Sequence, residues 1–225
     1  EADFKIKRSK CEFFMREVGF LGHIVSDQGV RRDPEKIAAI QQIKAPRDVP
    51  QLRHVLGLIG FYRKYIKNYA DITHPLYNLL GKKVEFKWTE VHDNALKILK
   101  SRLSEEPVMI LPDLSKDYVL QTDASKHGFS GVLQQLRENN QDFGPIAFFS
   151  GNFKGPQLNW SATEKEAYAI YCSVKKFSMY LQGAKCKILS DHKPLINFLH
   201  SDTKNAKLNR WSVEIQDIHN LGIQY

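Results

Sequence analysis

The 225-residue chain is 42% apolar and 26% charged, an ordinary balance for a folded protein long enough to bury a core. No apolar run approaches the roughly 18 residues a membrane span needs, and no secretory signal pattern opens the chain, so no membrane partner is expected. The net charge of +8 gathers at the front, where residues 1–67 hold 14 Lys/Arg against 8 Asp/Glu; a polyanionic partner fits this surplus, and a merely basic surface fits it too.

Cys11, Cys172 and Cys186 are odd in number and lack the close pairing of a zinc site. They are expected to be reduced thiols of an intracellular protein. Phe4-Lys5-Ile6-Lys7 runs into Lys10-Cys11-Glu12-Phe13-Phe14 with no start methionine, as expected of a piece of something longer.

Phe13-Phe14 and Val18 to Val25 read as two short strands around a Met15-Arg16-Glu17 turn, with another turn at Asp27-Gln28-Gly29-Val30. Asp33-Pro34 opens a helix whose stripe is Ile37, Ile40 and Ile43, ended by Ala45-Pro46. Asp48 starts a second, with Leu52, Val55, Leu56 and Ile59 inward, running on through Phe61 to Tyr65. A third is expected from Pro75 to Leu80, and a fourth after Thr89 with Val91, Ala95, Ile98, Leu99 and Leu103 as its stripe. Residues 33–106 thus form a helical unit.

Beyond Glu106-Pro107 the period changes. Tyr118–Asp123, Gly131–Gln135 and Pro145–Phe149 read as strands, with a polar hairpin tip at 137–141. A long helix follows from about Ser161 to Leu181, then a strand from Cys186 to Asp191 and a short helix near Leu195–Leu199. A helix from about Leu208 to His219 and a strand from Gly222 complete a mixed α/β layer pattern.

Three acids stand at element ends. Asp123 closes a strand and Asp191 closes another; each can bind a cation or merely cap the turn that follows. On the long helix, Ser161-x-x-Glu164 and Thr163-x-x-Glu166 both satisfy the capping-box spacing, so the pattern leaves either glutamate open to a structural role. Carboxylates brought together would repel unless cations filled the cluster, and Mg²⁺ prefers such oxygen ligands.

A run of motifs in fixed order carries a resemblance: Phe20-Leu21-Gly22-His23, Gly60-Phe61-Tyr62-Arg63, Trp88-Thr89-Glu90, Thr122-Asp123-Ala124-Ser125, Glu164-Lys165-Glu166 and Asp191-His192-Lys193-Pro194-Leu195. Through essentially its whole length the chain resembles the reverse transcriptase and RNase H segment of Pol polyproteins from gypsy-type LTR retrotransposons. The resemblance implies the palm's end with its primer-grip hairpin over residues 1–32, a helical thumb over 33–106 and an RNase H-like mixed sheet flanked by helices over 107–225. The polymerase's Tyr-x-Asp-Asp motif is absent, and Tyr69-Ala70-Asp71-Ile72, with one acid, does not replace it.

The resemblance makes Asp123, Glu166 and Asp191 catalytic metal ligands and leaves Glu164 as the partner of an N-cap Ser161. It implies two Mg²⁺ ions about 4 Å apart, with Mn²⁺ as a substitute, and cleavage of the RNA strand of RNA–DNA hybrids to 5′-phosphate ends. Phe20, Leu21 and Gly22 would grip primer–template. Arg53, Arg63, Lys64 and Lys67 would follow phosphates, and His192 and Lys193 would touch the hybrid. The implied surroundings are the rest of the Pol polyprotein, a dimer, and a cytoplasmic virus-like particle or the nucleus.

The family departs from this chain in three places. A fourth acid lies in an Ala-Asp-Ala-Leu type motif beyond Tyr225, so three ligands are expected to hold one ion weakly. Gly151 stands where a basic residue is usual, which should weaken hybrid contact, and Trp160 replaces a usual tyrosine in the core. The rival expectation is a catalytically silent, nucleic-acid-binding remnant; an unrelated nuclease or integrase leaves the helical unit unexplained.

Overall fold

A computed structural model of the chain describes residues 7, 11–105, 109–137, 142–196, 198–199, 205–216 and 220–225. The expected tip at 138–141, the 106–107 junction and the tail of the last helix at 217–219 lie outside the described residues.

The front forms a three-stranded antiparallel sheet of β1 (Glu17–Phe20), β2 (His23–Ser26) and β3 (Gly29–Arg32). Phe13-Phe14 is no strand, and the run expected as one strand from Val18 to Val25 is broken in the middle. The break is a two-residue turn in which Leu21 (φ +48°) and Gly22 (φ +77°) are both left-handed, the geometry that matches the twist of paired strands. Glycine adopts it freely; leucine does so at a cost of about 1 kcal/mol, which alternation of side chains cannot reveal.

The helical unit follows as α1 (Pro34–Gln41), α2 (Val49–Phe61), α3 (Tyr69–Asn78) and α4 (Glu90–Ser104). Asp33 and Asp48 cap the first two through bonds from the Glu35 and Gln51 N–H groups, as their positions before proline and a helical run suggested. The second helix gives way to a 3-10 turn at Arg63–Tyr65. The third starts earlier than expected, after a left-handed Asn68, and holds Pro75 inside it. A proline there removes one helical N–H bond, and Thr73 Oγ1 ties back to the Tyr69 carbonyl at 2.7 Å. On α4 the inward stripe is Ala95, Leu96, Leu99 and Leu103; Val91 and Ile98, expected inward, are exposed.

The second half builds a five-stranded sheet ordered β6-β5-β4-β7-β8, from β4 (Tyr118–Ala124), β5 (Gly128–Leu136), β6 (Phe143–Asn152), β7 (Lys185–Leu189) and β8 (Asn220–Gln224). Strands β4 to β6 are antiparallel, while β7 and β8 lie parallel to β4. Helices α5 (Ala162–Lys176) and α7 (Ala206–Gln216) and the single turn α6 (Ser178–Leu181) contribute to the main core with Tyr118, Leu120, Leu133 and Ile188. Near Leu195, where a short helix was expected, the described residues take a 3-10 turn, Lys193–Leu195. The sheet and its helices are the mixed α/β arrangement that the pattern predicted.

Alternation along the strands gives the sheet two unlike faces. Tyr118, Leu120 and Thr122 point to the core, while Gln121 and Asp123 face the other way and are exposed. Helix α3 packs on part of that second face, so the helical unit lies directly against β5 and β6.

Candidate active site

Asp123, exposed, is the last residue but one of β4, and β7 stops two residues before Asp191, also exposed. Because β4 and β7 are parallel neighbours, both chains leave the sheet at the same edge and carry their acids there together. The N-terminal part of α5 arrives at that edge too. Its fifth residue, Glu166, is only 8% exposed and accepts a bond from the Ala124 N–H at 3.2 Å through Oε1. Its other oxygen, Oε2, is buried with no hydrogen-bond partner.

The electrostatics follow from that placement. Burial pushes the Glu166 carboxyl up to about 7, and the neighbouring negative charges of Asp191 and Asp123 add to the rise against the Ala124 bond. Glu164, two residues away, has the opposite surroundings. The Lys207 ammonium (2.9 Å) and the Ser161 N–H hold its carboxyl down at about 2. Ser161 Oγ accepts from the Glu164 N–H at 3.2 Å, completing the capping box. Both glutamates met the box spacing in the sequence; the fold gives the box to Glu164.

A cleft of about 530 Å³ opens on the exposed face, lined by Asp123, Asp191, Gln121, Ser130, Ser190, Tyr225 and, from the helical unit, Lys67. An all-oxygen donor set suits a hard divalent cation, and a buried carboxylate oxygen with no partner, raised by two nearby acids, is a group such a charge would stabilise. Among the described residues no three His, Cys, Asp or Glu side chains come close enough to hold a metal ion. The acids therefore fit a cation by chemistry and charge rather than as a closed shell.

The remaining predicted residues divide by place. His192 follows Asp191 and pairs with Thr163 on α5 at 2.8 Å, tying the loop after β7 to the helix start; Lys193 beside it is exposed. Phe20 and Leu21 protrude at the hairpin tip, and Gly22 is fastened to the helical unit, its carbonyl accepting from the Tyr62 hydroxyl at 2.9 Å. Arg53, Arg63 and Lys64 are exposed on the helical unit and do not line the acidic cleft, with Lys64 Nζ over the Tyr65 ring. Tyr62 and Tyr65 are core, whereas Phe61 is half exposed and stacks on His23. Gly151 has a packing reason: a Cβ there would stand 2.5 Å from Phe129 Cζ, so a basic side chain has no room unless that ring moves. Trp160 packs among Tyr168 and Trp211, as expected of a core aromatic.

Sequence reasoning missed Asn68, Asp71, Ser125 and Ser130, which join the helical unit to the strands beside Asp123. They lie 54 and 62 positions apart in the chain, and no local pattern signals such pairs.

Residues 113–218 match the RNase H-like domain found in reverse transcriptase. Those residues form an RNase H-like domain of that kind. The whole chain is also similar to transposon Pol proteins, in keeping with the gypsy-type resemblance. It is 39% identical over 96% of its length to the retrovirus-related Pol polyprotein from transposon 297 of Drosophila melanogaster, covering 20% of that protein. It is 36% identical over its full length to the transposon Tf2-3 polyprotein of Schizosaccharomyces pombe, covering 17% of it. The chain thus spans about a fifth of the curated relatives it matches. The fold is shared with foamy viral protease-reverse transcriptase. The structure of that protein with an RNA/DNA hybrid aligns at a TM-score of 0.75, 24% identity, 96% of this chain and 30% of that one. A second, with double-stranded DNA, gives 0.74 at 23% identity, over 93% and 37% of the two chains. The RNase H-like domain here therefore carries its acids at one edge of the sheet, with helix α3 lying across the same face.

Proposed function

We propose that the chain is part of a reverse transcriptase/ribonuclease H, and that its RNase H-like domain hydrolyses the RNA strand of RNA–DNA hybrids with Mg²⁺ held by Asp123, Glu166 and Asp191. The observation that carries this reading is Glu166: a carboxylate buried at the sheet edge, one oxygen unpartnered, raised to about 7 by burial and two neighbouring acids. A carboxylate raised by burial and by neighbouring acids, beside a cleft, is a candidate for a working acid.

Each residue has a task in this reading. Asp123 and Asp191 offer exposed oxygens at the cleft rim, and Glu166 offers a third from the closed side, fixed by the Ala124 N–H. His192, held by Thr163, keeps the Asp191 loop against α5 and stands beside the path of the hybrid. Bound Mg²⁺, or Mn²⁺ in its place, would neutralise the acids, activate a water and stabilise the leaving oxygen. The RNA strand's 2′-hydroxyl is the group that would distinguish it from DNA. The front sheet serves as the end of a polymerase palm and the helical unit as a thumb, with the polymerase site elsewhere in a Pol polyprotein working inside a cytoplasmic particle.

The test is cleavage of an end-labelled RNA–DNA hybrid with and without Mg²⁺, by this chain and by one continuing past Tyr225. Asp123→Asn and Asp191→Asn should each lower the rate by about 10²-fold or more. Equal cutting by the wild type and Asp123→Asn overturns the assignment. One observation favours a second reading, a binding module without catalysis: the described acids do not close on a single ion. Hybrid binding without cutting by either chain selects it.

A further inference from the structure

The acidic cleft is not lined by the RNase H-like domain alone. Among its described lining residues Lys67 is the one cation, and it comes from the helical unit. It forms no salt bridge with a described acid, although it shares the cleft with Asp123 and Asp191.

Its position is fixed by its neighbours. Asn68, in the left-handed conformation at the start of α3, accepts a bond from Ser130 Oγ at 2.8 Å. Ser130 is the cross-strand partner of Asp123, so the two side chains stand on one face of the sheet. Ser130 is 6% exposed and the bond is part-buried, which strengthens it as a hold on the segment. Three residues on, Asp71 accepts from Ser125 Oγ at 2.5 Å. The same hydroxyl accepts from the Gly128 N–H at 2.9 Å, which organises the turn directly after Asp123. His74, on the same helix, stacks on His127 of that turn with ring centres 4.3 Å apart. The strand end bearing Asp123 and the segment bearing Lys67 are thus fastened together on both sides of the acid.

A phosphodiester entering this cleft brings negative charge against carboxylates. A lysine ammonium on the facing wall suits it as a point charge that binds phosphate without reading sequence. We propose that the nuclease site is composite: Lys67 of the helical unit contacts a backbone phosphate of the hybrid within the acidic cleft, and Asn68 and Asp71 are positioning residues that hold it there. This deepens the RNase H reading and rests on it for the identity of the substrate. It also separates Lys67 from Arg53, Arg63 and Lys64, which do not line the cleft.

The experiment measures binding of a fluorescein-labelled RNA–DNA hybrid by anisotropy across a salt series. The proteins are the wild type, Lys67→Met, Lys67→Arg, Ser130→Ala and the Lys67→Met/Ser130→Ala double variant, with circular dichroism checking that each folds. Lys67→Met should weaken binding about 5- to 10-fold at low salt and flatten the slope of log affinity on log salt by roughly 0.7 to 0.9, the change expected when one fewer phosphate is neutralised. Lys67→Arg should restore most of both. Ser130→Ala leaves the charge but frees the segment, so it should weaken binding part of the way, and the double variant should be no weaker than Lys67→Met. An unchanged slope in Lys67→Met, or losses that simply add in the double variant, overturns the composite site. These arms are read whether or not the hybrid is cut. A wild type that binds but does not cleave counts against the nuclease reading alone, whereas one that binds no hybrid overturns both.

Discussion

The two faces of the five-stranded sheet are made by the same strands and do different work. On one, Tyr118, Leu120, Leu133 and Ile188 are fully buried against the helices of the RNase H-like domain. On the other, Gln121 and Asp123 stand exposed beside Ser130 and Val132, with α3 covering only part of the surface. The acids combine both. Asp123 belongs to the open face, whereas Glu166 comes from the helix of the closed face and meets it at the sheet edge through the Ala124 N–H. The closed face gives Glu166 its burial and the open face gives access. A carboxylate with a raised pKa beside a solvent-filled cleft needs both, and neither face alone provides them.

The sharpest way to break this contrast is a pair of adjacent substitutions on β4. Leu120→Ala removes a wholly buried side chain from the closed face and should cost about 3 kcal/mol of unfolding free energy, within the usual range of roughly 2 to 5. Gln121→Ala, one residue on and facing the cleft, should stay within about 0.5 kcal/mol. Urea unfolding of both variants decides it; similar losses would mean that the open face is packed in solution.

Glu166 gives the next largest effect. Its carboxyl is raised from 4.5 to about 7, so between these values the folded state binds more protons than the unfolded state. Stability must then fall as pH rises through that window and remain lowered above it, by at most about 3 kcal/mol. Glu166→Gln cannot ionise. It should be more stable than the wild type by about 1 to 3 kcal/mol at pH 8 and nearly equal at pH 4, while losing hybrid cleavage. Denaturant midpoints at the two pH values measure this. A Glu166→Gln advantage that does not grow with pH would show that the carboxylate is ionised at no cost. In the wild type, Mg²⁺ should recover part of the loss above pH 7, and in Glu166→Gln it should recover little.

Much of this layout was legible in the sequence, and the failures share a cause. Periodicity found the helices and the five strands because each buries one face, and Asp33 and Asp48 announced helix starts by local chemistry. It merged β1 and β2 because nothing in Phe20-Leu21-Gly22-His23 requires a leucine to turn left-handed; the register of the pairing strands imposes that. It opened α3 at Pro75 because proline favours a first turn, whereas packing on β5 and β6 carries the helix back to Tyr69. It placed Val91 and Ile98 inward on α4, where Leu96 takes that role. The surroundings of Lys67, Asn68 and Asp71 were invisible for a different reason: they depend on how one unit lies on the other, and Asp71 stood out in the sequence only as an acid that fails to complete a polymerase motif.

Glu164 is the smallest of the expected effects and separates the two glutamates most directly. Its carboxyl is held at about 2 by Lys207 and Ser161, so its contribution is fully present above pH 4.5 and disappears as pH falls toward 2, opposite in sign to that of Glu166. The Lys207 side chain is 46% exposed, so solvent screens the ion pair and most of the value resides in the cap. Glu164→Ala removes both and should cost about 1 kcal/mol at pH 7. Glu164→Gln keeps a side chain able to reach back to the Ser161 N–H and should cost only a few tenths. Neither should alter the pH dependence that Glu166 imposes, because Glu164 does not enter the causes of that shift. Thermal melts of both variants at pH 7 and pH 3 make the comparison, and a Glu164→Gln loss as large as that of Glu164→Ala would transfer the stabilisation from the cap to the Lys207 pair.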